Sequence, residues 1–152
     1  MTTMIQPKPQ QDQMRIDDML CFALYSATHA MQAAYKPLLD DLGLTYPQYL
    51  VLVSLWCQDD QTVGQLGSAL HLESNTLTPL LKRMATAGYL TRQRDQSDER
   101  QVRILLAERG RALQQQSQSI TDCIIGQTGL TMPAIVDLQA RIIALRNQLR
   151  HL

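Results

Sequence analysis

Cys21 opens a stretch, LCFALYSATHAMQAAYKP (residues 20–37), in which Tyr25 and His29 follow at intervals of four. That spacing sets the three side chains along one helix face. A thiolate is a nucleophile, and a hydrogen bond from a phenol favours the ionised form. The chemistry open to such a group is attack on a peroxide O–O bond, giving a sulfenic acid that condenses with a second thiol. The plain alternative is a small buried hydrophobe, a common fate of free cysteine. Tyr25 reaches the thiol locally. Tyr35 lies 14 residues on, roughly 21 Å along a straight helix. It meets Cys21 only from a second chain packed antiparallel. His29 reads as a packing or solvent-facing residue rather than a pH switch.

These residues need elements to hold them. Residues 1–14 are Gln- and Pro-rich and read as a disordered tail. A helix is expected from Ile16, with Asp17 and Asp18 in its first turn, where they favour the macrodipole. Leu20, Leu24, Ala27, Met31, Ala34 and Leu38 form its apolar stripe, Pro37 falls in its last turn and Gly43 lies beyond. Thr45 caps a second helix with Pro47 early in it, running through LVLVSLWC, where Cys57 reads as core. Thr62 caps a third, TVGQLGSALHL. A fourth spans Ser74 to Ala87. Pro79 bends it if Ser74 is the cap, or sits near its first turn if the regular helix starts later. YLTRQR and QVRIL then alternate apolar and polar residues around DQSDER, the pattern of a β-hairpin. A long helix follows from about Ala107 through RALQQQSQS and is broken at Gly126 and Gly129. A last helix, 132–152, carries Ile135, Leu138, Ile142, Leu145 and Leu149 on one stripe. The terminal helices expose more apolar surface than a small centre can cover, so a partner subunit is expected.

The middle third is a helix-turn-helix followed by a wing. Leu66, Ala69 and Leu70 face inward from its first helix, and Leu77, Leu80, Leu81 and Met84 from its second, with His71–Glu73 as the turn. Ser74, Asn75, Thr76 and Thr78 crowd the leading end of the second helix, where such a motif presents side chains to base edges. Lys82 and Arg83 suit phosphates. Arg92, Arg94 and Arg100 flank the wing turn and suit a minor groove, although Asp98 can also pair with Arg100 within the chain. Net charge is zero overall, yet residues 1–81 carry −5, 82–111 carry +4 and the remainder +1. The basic stretch coincides with the motif. Aromatics at 5% exclude a stacking platform for single strands.

At these residues the chain resembles a known family. LTYPQYLVLVSLW and LKRMATAGYLTRQRDQSDERQVRILLAERG look like the MarR family of winged-helix repressors. LCFALYSA narrows this to the organic-hydroperoxide-resistance (OhrR) branch, over roughly residues 16–148. The resemblance implies a mainly α fold with a small β-hairpin wing, in which the N- and C-terminal helices (15–45 and 108–152) form a dimerisation region around a winged helix-turn-helix (46–107). It implies a homodimer on a pseudo-palindromic double-stranded operator, released on oxidation by an organic hydroperoxide. It matches Tyr35 and Tyr46 to the pair that reaches the reactive thiol across the dimer. It expects a resolving cysteine near the break before the last helix. The alignment there falls on Gly126, three residues after Cys123, so either Cys123 or a low-molecular-weight thiol answers Cys21. Ala107 departs from the family's usual Thr cap, at a cost of about 1 kcal/mol.

Two other readings stay open: a MarR-type repressor released by a phenolic or aromatic ligand, and a thiol peroxidase using Cys21. A recognition helix and wing weigh against an enzyme. Three cysteines make no disulfide framework, and no CxxC or Cys/His cluster suggests zinc, so no metal or cofactor is expected. The polar start and the lack of a run near the ~20 apolar residues of a membrane span read as cytoplasmic, with no membrane partner.

Overall fold

A computed structural model describes residues 14–151, so most of the tail expected at 1–14 lies outside the described residues. The described chain is mainly helical with a small antiparallel sheet, a winged helix. In order it has a 3-10 turn (Ile16–Asp18), α1 (Leu20–Asp40), α2 (Tyr46–Cys57), β1 (Gln61–Thr62), α3 (Val63–Leu70), α4 (Ser74–Thr86), β2 (Leu90–Arg94), β3 (Val102–Leu106), α5 (Glu108–Thr128) and α6 (Met132–Arg150). It divides into two compact units, one ending at Ala33 and one starting at Ala34.

In the first unit the helix starts later than its pattern suggests. Met19 is extended, at φ −88° and ψ 121°, which separates the 3-10 turn from α1. Asp17 and Asp18 therefore belong to the turn and not to the first turn of α1, and Cys21 becomes the second residue of α1.

In the second unit two threonines fix the helix starts. Thr45 and Gln48 form a reciprocal capping box on α2, and Thr62 and Gln65 repeat it on α3. The core gathers Leu39, Val51, Leu52 and Leu55 against Leu66, Leu77, Leu81, Met84, Leu90 and Ile104, all fully buried. β3 is the central strand. It pairs with β2 in the register Leu90↔Leu106 to Arg94↔Val102, and with β1 through Gln61↔Ile104. β1 is a third strand beyond the expected hairpin. At two residues it is too short to show an alternating pattern.

Three further expectations are corrected, and the alternative left open at Pro79 is decided. Cys57 is exposed, not core. The buried residues of α2 include Val51, Leu52 and Leu55, and a position two beyond Leu55 turns about 200° away from it. Ala69 is exposed on α3, whose inward face is Leu66 with the half-buried Val63 and Leu70. Gly126 does not break α5, because one interior glycine costs a helix only about 1 kcal/mol. The break comes at Gly129, left-handed at φ 66°. Ser74 is the first residue of α4 and not its cap; Glu73 holds the cap position without a side-chain bond. Pro79 consequently lies in the helix interior and leaves the Asn75 carbonyl without its intrahelical donor.

α5 is fastened to the wing side of the unit. Trp56 Nε1 donates to the Gly110 carbonyl at 2.9 Å, and a β-carbon on Gly110 would drive into the Tyr89 carbonyl. α6 has no buried residue. Val136, Leu138, Ile142, Ile143 and Leu149 are exposed along it, with Ile135 and Leu145 half-buried. No helix among the described residues is long and apolar enough to cross a membrane.

Candidate sensor and nucleic-acid interface

Cys21 is an exposed free thiol in the first turn of α1. Free backbone N–H groups there favour negative charge. Phe22 and Leu24 beside it are half-buried and Leu20 is exposed, an apolar neighbourhood within the first unit. Tyr25 is 63% exposed. Its ring stacks on Phe22 at 6.5 Å and meets the His29 ring edge-on at 4.4 Å. The spacing thus aligns Tyr25 with His29, and among the described residues Tyr25 makes no hydrogen bond to the thiol.

Tyr35 and Tyr46 come together in the second unit. Tyr35 belongs to the later part of α1 and Tyr46 is the first residue of α2, where the Thr45 capping box and Pro47 set the entry of the chain. Their ring centroids are 5.1 Å apart, and Tyr49 joins them at 5.9 Å from Tyr35. Both rings are half-buried against the core. Burial raises the pKa of Tyr35, with Tyr46 and Tyr49 adding to it, and burial followed by Tyr49 raises that of Tyr46. Both groups therefore remain neutral phenols with a proton to donate. Among the described residues neither hydroxyl has a hydrogen-bond partner within the chain. Tyr49 is the member of this cluster that sequence reading missed; its place three residues after Tyr46 was the available signal.

Cys123 is exposed on α5 and free. Gln127 Nε2 approaches its sulfur at 3.5 Å. Gly126 lies in the same helix and is also exposed, so the three-residue offset between them keeps both near one face.

The reading head is built on α4. Leu77, Leu80, Leu81 and Met84, at helical spacing, bury one face. Ser74, Asn75, Thr76, Lys82 and Arg83 are exposed and Thr78 is half-buried. A groove of about 980 Å³ runs between α3, the leading end of α4 and the wing, lined in part by Ser68, Ala69, Ser74, Thr78, Arg92 and Arg100. Arg92 presents a buried Nε with no hydrogen-bond partner among the described residues. Arg94 and Arg100 are exposed. The Arg100 to Asp98 pair foreseen from the sequence forms at 3.3 Å, with Arg100 92% exposed. Such a surface pair is worth at most about 1 kcal/mol and yields readily to a phosphate. Asp95 at the start of the wing turn was not singled out from the sequence. Bonds from Ser97, and then from Arg103, hold its carboxyl well below the usual carboxylate range.

Comparison with known proteins gives a consistent set. A family model described as the transcriptional regulator SarA/Rot matches residues 33–116. The HTH-type transcriptional regulator TtmR of Methylorubrum extorquens (strain PA1) is 43% identical over 140 residues, covering 92% of this chain and 72% of the relative. The organic hydroperoxide resistance transcriptional regulator of Bacillus subtilis (strain 168) is 47% identical over 115 residues, covering 76% and 78%. Among solved structures, reduced AbfR bound to DNA superposes with a TM-score of 0.73 at 38% identity, covering 93% of this chain and 97% of that one.

Proposed function

The chain belongs to the MarR/OhrR-type winged-helix transcriptional regulators, DNA-binding proteins and not enzymes, and from that premise we propose that it is a homodimeric repressor whose Cys21 senses organic hydroperoxides. The observation that carries this is the pair Tyr35 and Tyr46, two neutral phenols with ring centroids 5.1 Å apart and no hydrogen-bond acceptor among the described residues. An unpartnered donor pair fits an anion arriving from outside the protomer. Cys21 of a second protomer supplies that anion as a thiolate. Residues 15–45 and 108–152 then form the dimerisation region, and 46–107 the DNA-binding region.

The reaction balances simply. The thiolate sulfur attacks one peroxide oxygen, the O–O bond breaks, and the alkoxide takes a proton and leaves as an alcohol. Sulfur is oxidised to Cys–SOH and the peroxide is reduced. A second thiol, Cys123 of the partner subunit or a small cellular thiol, then displaces water to form a disulfide. Either product spends the thiolate that the two phenols held. The two recognition helices must keep a fixed half-site spacing, so a change at the dimer seam is enough to release DNA. Ser74, Asn75, Thr76 and Thr78 read base edges; Lys82, Arg83 and Arg92 contact the backbone; Arg94 and Arg100 enter the flanking minor groove. Tyr25 serves as a wall of the thiol site, its ring held by His29.

The test uses the full-length protein and an operator duplex that it selects from a random-sequence pool. Cumene hydroperoxide at one equivalent per protomer should release the duplex, and dithiothreitol should restore binding. Tyr35→Phe and Tyr46→Phe should each slow sulfenate formation, measured by dimedone trapping, by about 10-fold, the worth of one hydrogen bond to a charged group. Parent-like trapping rates in both variants would remove the phenols from the mechanism. A duplex that stays bound under peroxide but leaves on adding a phenolic ligand would replace this reading with ligand-induced release.

A further inference from the structure

Arg103 is the second residue of the central strand β3, paired in register with Thr62 on one side and Gln93 on the other. All three of its guanidinium nitrogens are engaged within the chain. Nε donates to Asp60 Oδ1 at 2.6 Å, Nη2 to the Asp60 carbonyl at 2.7 Å, and Nη1 to Asp95 Oδ2 at 3.0 Å. Two of these acceptors belong to the turn between α2 and β1. The third begins the wing turn.

Each end of this bridge is prepared. Asp60 has φ 57°, a left-handed conformation that aspartate tolerates better than most residues, and it presents both its carbonyl and its carboxylate to one guanidinium. The Asp95 carboxylate also gathers the wing turn, accepting from the N–H and hydroxyl of Ser97 and from the Asp98 N–H. The turn is closed by Asp95 N–H to the Gln101 carbonyl at 2.9 Å. The Asp95 side chain is 11% exposed and that of Arg103 32%. The bond to Asp95 is therefore partly withdrawn from water and stronger than a surface pair, whereas the Asp60 carboxylate is 51% exposed. Arg94 immediately precedes Asp95, and Arg100 lies inside the turn.

We propose that Arg103 is the positioning residue of the wing: it ties the 95–101 turn to the α2–β1 turn, so that Arg94 and Arg100 meet DNA in one fixed placement, without touching DNA itself. A wing free to move would have to be ordered on binding, and that ordering would subtract from affinity. Lysine cannot substitute, because one ammonium does not reproduce the planar fork that spans three acceptors. The inference rests on the DNA contacts assigned to Arg94 and Arg100 and is independent of peroxide sensing.

The experiment uses reduced full-length protein, no peroxide, and the duplex selected by the parent. Hydroxyl-radical protection reports the minor-groove flank, and dimethyl sulfate protection reports the major groove under α4. Arg103→Gln, Arg103→Lys and Asp95→Asn should each weaken binding by about 10-fold and lose the flank protection while keeping the major-groove protection. The Asp95→Asn result decides by its sign. Removing a negative charge near DNA would tighten binding if charge alone mattered, whereas loss of positioning weakens it. Tighter binding by Asp95→Asn, or parent-like binding by Arg103→Lys, would show that Arg103 acts through charge and overturn the proposal. Loss of both protections together would make the bridge a support of the whole fold, which also overturns it. A parent that protects no flank would remove the wing contacts themselves, and the proposal with them; flank protection that survives in Arg103→Gln would remove the proposal alone.

Discussion

Cys21→Ser should stay on its operator at a peroxide dose that lowers the parent's affinity by about 100-fold, the upper range of coupling between two sites. A serine hydroxyl matches the thiol in size but is not ionised at neutral pH and does not attack a peroxide. The thiol is exposed, so the change removes a nucleophile without opening a cavity. Fluorescence anisotropy of the labelled duplex, with and without cumene hydroperoxide, reads the result. The matched control is Cys57→Ser. Cys57 and Cys123 are exposed as well, so exposure does not distinguish the sensor; the proposed cross-dimer mechanism assigns it to Cys21. Cys57→Ser should be released like the parent. Release of Cys21→Ser at the same dose would move the sensor to another sulfur.

Leu138→Glu should give the second large effect. Leu138 is 48% exposed and α6 has no buried residue, so a charge there costs the protomer's own core nothing. The same face carries Ile142 and Leu149, and the partner subunit we propose would cover that exposed apolar surface. A glutamate facing its symmetry mate would be both desolvated and repelled. Sedimentation should find a monomer at concentrations where the parent is a dimer. Operator affinity should fall by about 10² to 10⁴, because two half-sites would no longer be held by one linked pair of reading heads. Circular dichroism should show the helix content retained. A Leu138→Glu dimer with parent affinity would place the interface elsewhere.

Much of this architecture was legible because it depends on local rules. Thr45 and Thr62 announce helix starts through a hydroxyl and a glutamine three residues on, and both capping boxes form. Leu77, Leu80, Leu81 and Met84 repeat at helical spacing and are buried as expected. The alternation in YLTRQR and QVRIL gives β2 and β3. Several of the failures share a cause: they depend on a partner far away in sequence. Cys57 ends an apolar run, but which of its residues face inward is set by what packs on α2. β1 exists because β3 offers it an edge. Ala69 follows the helical stripe of α3, yet the packing of α3 turns it toward the groove. The Asp60–Arg103–Asp95 bridge joins residues 43 and 8 apart in sequence, and no spacing rule reports it. The proposed sensor rests on a length argument that the sequence does supply, since one straight helix cannot bring Tyr35 back to Cys21. The closeness of Tyr35 and Tyr46 was not legible, because it depends on how α1 and α2 meet in the second unit.

The central claim is that Cys21 of one protomer is served by Tyr35 and Tyr46 of the other. A mixed dimer tests it directly. Cys21→Ser chains are paired, through separable affinity tags, with Tyr35→Phe/Tyr46→Phe chains, and the rate of dimedone-trapped sulfenate is followed after cumene hydroperoxide. If the tyrosines act across the dimer, the mixed dimer holds one intact site and one dead site. It should then trap at the parent's rate with half the parent's amplitude, although neither homodimer does so. If the tyrosines act within their own chain, every remaining Cys21 faces two phenylalanines. The mixed dimer would then trap only at the slow rate of the double-phenylalanine homodimer, and that result would contradict a sensor shared between two protomers.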